Sequence, residues 1–387
     1  MTPNKYDKYD ECDKYDKQYK YDKIVKNKCD KYDIFSMLPS EIQALMSKWG
    51  EPAYRGNQIF EWFHRHNIDN FTSMDNIPMV LRTRLNDECC QTPCKIIEKK
   101  SSAHDGTIKY LFELGNDTII ESVHMKYSYG NCVCISTQAG CRMGCRFCAS
   151  TIGGLLRNLT AGEMCAQVYA AAKDGGKISS VVLMGCGEPL DNFEQVLRFI
   201  DLITNPRGAA LGARHITIST CGLIPQMREL AALKLQINLA VSLHASNDET
   251  REALMPIARS YSIQETLEAC RHYISMTNRR ITFEYALAKG INDKASDAEK
   301  LASLLRGMLC HVNLIPINNI DDKNSDKKID KKNQKYGNFF PAAYREAEKF
   351  ATILQGNKIQ TTIRRTIGAD VNAACGQLRA RGIALMR

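Results

Sequence analysis

Residues 132–150 read CVCISTQAGCRMGCRFCAS. A short run of small and β-branched apolar residues, CVCIST at 132–137, is followed by Cys141, Cys145 and Cys148 in a C-x3-C-x2-C pattern. The run has the length and composition of a buried strand, so the cysteines stand on the loop leaving its C-terminal end. SSVVLM (179–184), HITIST (215–220), INLAVSL (237–243), ITFEYAL (281–287), HVNLIPI (311–317) and IQTTIRR (359–365) also read as strands. Amphipathic helices are expected between them, and Thr160 with Glu163 and Ser262 with Glu265 are capping boxes that start two of these. Six or seven βα units in tandem predict an α/β fold whose parallel sheet curls into a full or partial barrel. In such a barrel chemistry gathers at the C-terminal strand ends, where Cys141 to Cys148, Gly187, Glu188, Ser219, His244 and Asn318 fall.

The 387 residues suffice for one large α/β domain plus a smaller one. The net charge of +9 suits a polyanionic partner without proving one. Sixteen cysteines would suit disulfides in a short secreted domain, but the N-terminus has no apolar export signal, so reduced thiols in the cytoplasm are expected. No apolar stretch approaches the ~18 residues of a membrane span. Residues 1–33 carry five KYD triplets and almost no aliphatic side chains, the composition of a disordered tail. A small helical domain is expected over about 34–97, opening on a Ser40–Gln43 capping box, and the barrel domain over 98–378. NNIDDKNSDKKIDKKNQKYGN at 318–338 reads as a solvated loop inserted into that domain.

Three thiolates on a [4Fe–4S] cluster leave one iron open to a ligand. With Phe147 before its last cysteine and its place after the first strand, the motif resembles the radical S-adenosylmethionine (SAM) superfamily. That resemblance implies a partial (βα)6-type barrel and a cluster, held by Cys141, Cys145 and Cys148, that chelates SAM and cleaves it to a 5′-deoxyadenosyl radical. The same thiols would also suit structural zinc completed by Cys134 or a histidine. GCGEP at 185–189 is a glycine-rich turn that offers backbone groups to a ligand, and Glu188 can accept a hydrogen bond from an ammonium. In the superfamily such a turn holds the SAM amino group. Ser219, Ser242, Leu243 and His244 then line a SAM pocket closed by Asn318, although each alone is ordinary strand-end polarity.

ESVHMKY, CVCISTQAGCRMGCRFCASTIGGLLRNLT, MGCGEPLDN, SLHA, VNLIPIN and DVNAACGQL together closely resemble the RlmN family of bacterial radical SAM adenine methyltransferases, over about Leu38 to Leu378. Cys375, flanked by small residues, is an uncrowded nucleophile, whereas Cys165, Cys270 and Cys310 read as small buried hydrophobes. The resemblance implies a ping-pong route that consumes two SAM molecules per turnover. Cys375 takes a methyl from the first, and a radical from the second activates that methyl to attack adenine carbon 2, an electron-poor position closed to polar methylation. Glu121 is then the proton acceptor, and Cys134 resolves the Cys375–RNA adduct through a transient disulfide. Read alone, Glu121 is a surface acid at the edge of IIESVHM, and only the family resemblance gives it the proton-acceptor role.

The implied partners are 23S rRNA before full ribosome assembly, tRNA beside the anticodon, and an electron donor such as flavodoxin or ferredoxin. The chain is expected to act as a monomer. WGEPAYRGNQIFEWF (49–63) suggests RNA support or core packing, and Arg279-Arg280 and Arg364-Arg365 phosphate contact or a solvated face. Cys186 stands where the family usually has methionine, which bears on the packing beneath SAM. The alternatives are methylation at carbon 8 of the same adenosine, as in the related antibiotic-resistance family, and a non-catalytic zinc and RNA-binding protein.

Overall fold

The computed structural model describes residues 31–68, 70–90, 94–115, 118–318, 339–378 and 381–382. The expectations for residues 1–30 of the tail and 319–338 of the insertion lie outside them. The chain divides into two compact units, residues 1–91 and 92–387.

In the first unit, β1 (Tyr32–Asp33) pairs in parallel with β2 (Cys89–Cys90), and between them lie α1 (Pro39–Lys48), α2 (Tyr54–His64) and α3 (Met79–Glu88). The ordered chain therefore begins before residue 34, because Tyr32 is paired with Cys89 and buried. The predicted Ser40–Gln43 capping box is not formed. Pro39 lacks an N–H and fits the first helical position, so α1 starts earlier and Glu41 accepts the Leu38 N–H at 2.7 Å. Gln43 instead donates to Asn57 on α2 at 2.7 Å. Phe60 and Phe63 are fully buried, Trp62 donates to Asn76 and Arg55 to Gln58, so this aromatic stretch is largely packing.

The second unit is built on one sheet ordered β14-β13-β12-β11-β10-β9-β6-β5-β4-β3. Its parallel part runs through β6 (Gly130–Cys134), β9 (Ile178–Leu183), β10 (Ile216–Thr220), β11 (Asn238–Ser242), β12 (Ile281–Leu287), β13 (Cys310–Pro316) and β14 (Gln360–Ile363). These are the strands read from the sequence, with ends that differ by at most three residues. Helices α4 (Ala161–Gly175), α5 (Phe193–Thr204), α6 (Ile224–Ala232), α7 (Asp248–Leu254), α8 (Ile263–Thr277), α9 (Ala295–Leu305) and α10 (Tyr344–Gly356) connect them. Both predicted capping boxes form: Glu163 accepts the Thr160 N–H at 2.9 Å and Glu265 the Ser262 N–H at 2.8 Å. Among the described residues the sheet ends at β14 on one side and β3 on the other, so the barrel is partial.

The antiparallel extension β5 (Thr118–Tyr127), β4 (Ile108–Leu114) and β3 (Cys94–Ser101) was not foreseen. The edge strand β3 is mostly exposed and β5 is buried along most of its length, so neither shows a period-two pattern. The boundary expected at 97/98 falls inside β3, which belongs to this sheet. Within the parallel strands, Val181, Leu183, Ile216, Ile218, Leu239, Val241, Ile281, Phe283, Val312 and Leu314 are buried on one face. Truncating one of the larger of these costs ~3 kcal/mol. The alternate residues Ser219, Ser242, Glu284 and Asn313 occupy the other face, where the first three line a cavity.

Candidate active site

The cysteine loop is tied at its base by the antiparallel pair β7 (Gln138–Gly140) and β8 (Leu155–Asn158). Gly140 has φ of +82°, and a Cβ there would overlap the Gly154 carbonyl, which accepts the Cys141 N–H at 3.1 Å. Only glycine allows this closure. Arg142 makes a two-pronged ion pair with Asp191, its Nε 3.0 Å from Oδ2, which ties the loop to the segment after the GCGEP turn. Cys141, Cys145 and Cys148 line a cavity of about 980 Å³ with Gly187, Glu188, Ser219, Ser242, His244, Asn318 and Cys375. One cavity thus collects most of the expected site residues. Leu243 is fully buried instead, and its N–H is spent on the Glu284 carbonyl at 3.1 Å.

The GCGEP turn is welded to the segment that follows β6. Thr137 and Gln138 donate their N–H groups to the Cys186 carbonyl, and Glu188 N–H donates to the Gln138 side chain at 2.8 Å. Gly187, at φ +109°, has no room for a Cβ, which would lie 2.7 Å from Gln138 N. The Glu188 carboxylate accepts the Leu190 N–H at 3.0 Å and the Cys221 N–H at 2.8 Å. It braces two strand ends, and burial raises its pKa against the pull of the Cys221 N–H. Cys186 is fully buried beneath the turn. His244, at φ +57°, accepts the Ala286 N–H on Nδ1 at 2.9 Å, and burial holds its pKa at about 3. The ring is therefore neutral with its proton on Nε2.

Cys375 is exposed and lies on the walls of this cavity and of a second, smaller one of about 390 Å³ lined by Met125, Tyr127, Arg364, Arg365 and Ile367. Its loop is stitched to the cysteine loop: Ala149 N–H donates to the Gly376 carbonyl at 2.7 Å and Ser150 Oγ to the Leu378 carbonyl at 2.7 Å. Asn318 donates to the Cys375 carbonyl at 3.2 Å. Cys134 packs beneath with Ala373 and Leu378, its thiol pushed up first by burial and then by neighbouring Cys375. Both are free thiols. Glu121 is buried in β5, not on the surface, and pairs with Lys109 Nζ at 3.0 Å, which also donates to the Asn372 carbonyl at 3.0 Å. Lys109 thus joins the expected proton acceptor to the Cys375 loop, a link that nothing in IKYLFEL signalled. Glu284 on the larger cavity's wall was also missed, a charged residue within ITFEYAL being the available sign, and Arg364, expected at a phosphate contact or on a solvated face, stands on the same wall.

Among the described residues, no three Cys, His, Asp or Glu side chains converge as a single metal ion requires. A [4Fe–4S] cluster makes no such demand, because each thiolate binds a different iron, and three cysteines spread around one cavity fit it. A family model for the radical SAM superfamily matches residues 135–305, and one for the ribosomal RNA large subunit methyltransferase N-terminal domain matches 32–90. A probable dual-specificity RNA methyltransferase RlmN from Alkaliphilus oremlandii is 48% identical over 353 residues, covering 91% of this chain and 98% of its own. The chain belongs to the RlmN family. Another such protein, from Clostridium botulinum strain Hall, is 49% identical over 348 residues, covering 90% of this chain and 98% of its own. The crystal structure of a radical SAM methyltransferase from Sphaerobacter thermophilus matches with a TM-score of 0.83 and 40% identity, over 90% of this chain and 99% of that one. As an RlmN-family radical SAM protein, the chain uses a [4Fe–4S] cluster and SAM. The zinc alternative is thereby set aside.

Proposed function

We propose that this RlmN-family protein methylates carbon 2 of an adenosine in 23S rRNA at the peptidyl transferase centre and of the adenosine beside the anticodon in tRNA. The supporting observation is Cys375, exposed on the wall between two cavities, one of which carries the three cluster cysteines. Cys141, Cys145 and Cys148 hold the cluster, which with SAM supplies an organic radical able to take hydrogen from a methyl group. Gly187, Glu188, Ser219, Ser242, Leu243, His244 and Asn318 hold SAM, Leu243 through the backbone. The Cys375 thiolate receives a methyl by polar displacement and carries the carbon to the base. Glu121, held by Lys109, accepts the ring proton. The Cys134 thiolate then attacks the Cys375 sulfur, closing a disulfide, while the carbon leaves with the electron pair of the broken carbon–sulfur bond and takes up a proton to become the methyl of the released RNA. The protein works as a cytoplasmic monomer on rRNA not yet in a complete ribosome, with reduction by a flavodoxin- or ferredoxin-type donor. Mass spectrometry of rRNA and tRNA digests after anaerobic turnover tests this. The expected product is 2-methyladenosine, and 8-methyladenosine would move the chain to the sister activity.

A further inference from the structure

One feature beside Cys375 takes no part in the methyl-transfer chemistry. Tyr127, at the end of β5, lines the smaller cavity with Cys375, Arg364 and Arg365. Its ring stacks on that of Tyr129 in the following turn, with centroids 5.0 Å apart and planes 6° from parallel. Tyr129 is 75% exposed, so a flat aromatic surface continues the cavity outward into solvent. Arg365, also exposed, stands on the same cavity wall.

We infer that the Tyr127–Tyr129 stack and Arg365 form a platform for an unpaired RNA nucleotide adjacent to the target base. This deepens the proposed RNA methylation and rests on it. Carbon 2 of an adenine cannot meet a protein sulfur while the base is stacked in a strand, so the base must be extruded, which leaves its neighbour without a stacking partner. An exposed aromatic face beside the reacting sulfur replaces that partner, and sequence-tolerant stacking of this kind suits a protein that takes more than one RNA. Arg365 supplies a cation for the adjoining phosphate. The platform lies on the catalytic unit and owes nothing to the N-terminal one.

The test compares wild type with Tyr129→Ala, Tyr129→Phe and Tyr129→Trp on a tRNA anticodon stem-loop transcript and on a 23S rRNA fragment spanning the target adenosine. Filter binding gives Kd for RNA, turnover gives KM and kcat, and SAM affinity and iron content are measured on each protein. Loss of one stacked base weakens binding by roughly tenfold or more. Tyr129→Ala is expected to raise both Kd and KM for RNA by about that factor, with kcat moved far less and SAM affinity and iron content held. Phe and Trp are expected to stay within about threefold of wild type, since stacking needs the ring and not the hydroxyl. A Tyr129→Ala protein with wild-type Kd and KM, beside a wild type that methylates the RNA, overturns the platform alone. A Phe variant as weak as Ala overturns stacking as its basis. A wild type that loads SAM and iron yet methylates neither RNA overturns the RNA reading and the platform with it.

Discussion

Two thiols in different surroundings are assigned different work. Cys375 is exposed and reaches both cavities, whereas Cys134 is buried beneath it and packed against Ala373 and Leu378. If Cys375 carries the carbon and Cys134 only resolves the adduct, their alanine variants fail differently. Cys375→Ala is expected to yield no adduct and no product. Cys134→Ala is expected to purify with RNA attached through Cys375, seen as nucleic-acid absorbance that survives denaturant. The double variant then resembles Cys375→Ala alone, because the steps are sequential. A Cys134→Ala protein that is free of RNA and turns over would remove the resolving role. His64 is a second case in which surroundings set the chemistry. It is fully buried, with its ring stacked 4.3 Å from Phe60, and burial lowers its pKa to about 3. Unfolded, it titrates near the ordinary 6.5, so between that pH and about 3 the unfolded chain binds one proton more at this site. Its share of stability is therefore intact above 6.5 and lost as pH falls, by ~1.4 kcal/mol per pH unit. Denaturant melts from pH 7 to 5 are expected to show this slope reduced in His64→Phe.

The cysteine loop depends on its hinge as much as on its ligands. Gly140 and Gly153 both have positive φ, +82° and +93°, but a Cβ on Gly153 would meet nothing within 4 Å whereas one on Gly140 would overlap the Gly154 carbonyl. Backbone strain alone costs ~1–3 kcal/mol. Gly153→Ala is expected to pay only that and to load iron normally. Gly140→Ala is expected to break the Cys141–Gly154 hydrogen bond and retain less than about half the iron under identical anaerobic reconstitution. The visible absorbance near 400 nm reports the difference, and equal iron loading would show that the β7–β8 clasp does not position the cysteines.

The two units bury separate cores, and the first includes a residue that composition would assign to the tail. Tyr32 pairs with Cys89, packs edge-on to Trp49 at 6.2 Å and accepts a hydrogen bond from Lys48 at 3.2 Å. Deleting residues 1–30 removes almost no aliphatic side chain and is expected to leave melting and methylation unchanged. Deleting 1–33 removes β1 and is expected to lower the melting temperature by more than about 5 °C. Differential scanning calorimetry of the two truncations separates them, and identical curves would make β1 dispensable.

The repeated apolar runs predicted a full or partial barrel with its chemistry at one rim, and the family resemblance carried by the three-cysteine loop implied the partial form. Strand residues buried on both faces and helices with capping boxes leave a local trace, since each is set by neighbours in the chain. Glu163 and Glu265 act where the sequence placed them; Gln43 does not, because Pro39 moves the helix start. What brings Cys375 against the cysteine loop is a set of contacts between residues more than 200 positions apart, such as Ser150 with Leu378. Such contacts leave no periodicity. The burial of Glu121, its pairing with Lys109, and the second cavity shared through Cys375 arise likewise from strands β4 and β5 laid beside β6. Local spacing specifies which groups a chain can present, but only the packing of distant segments decides which of them meet, and from which side a ligand can reach them.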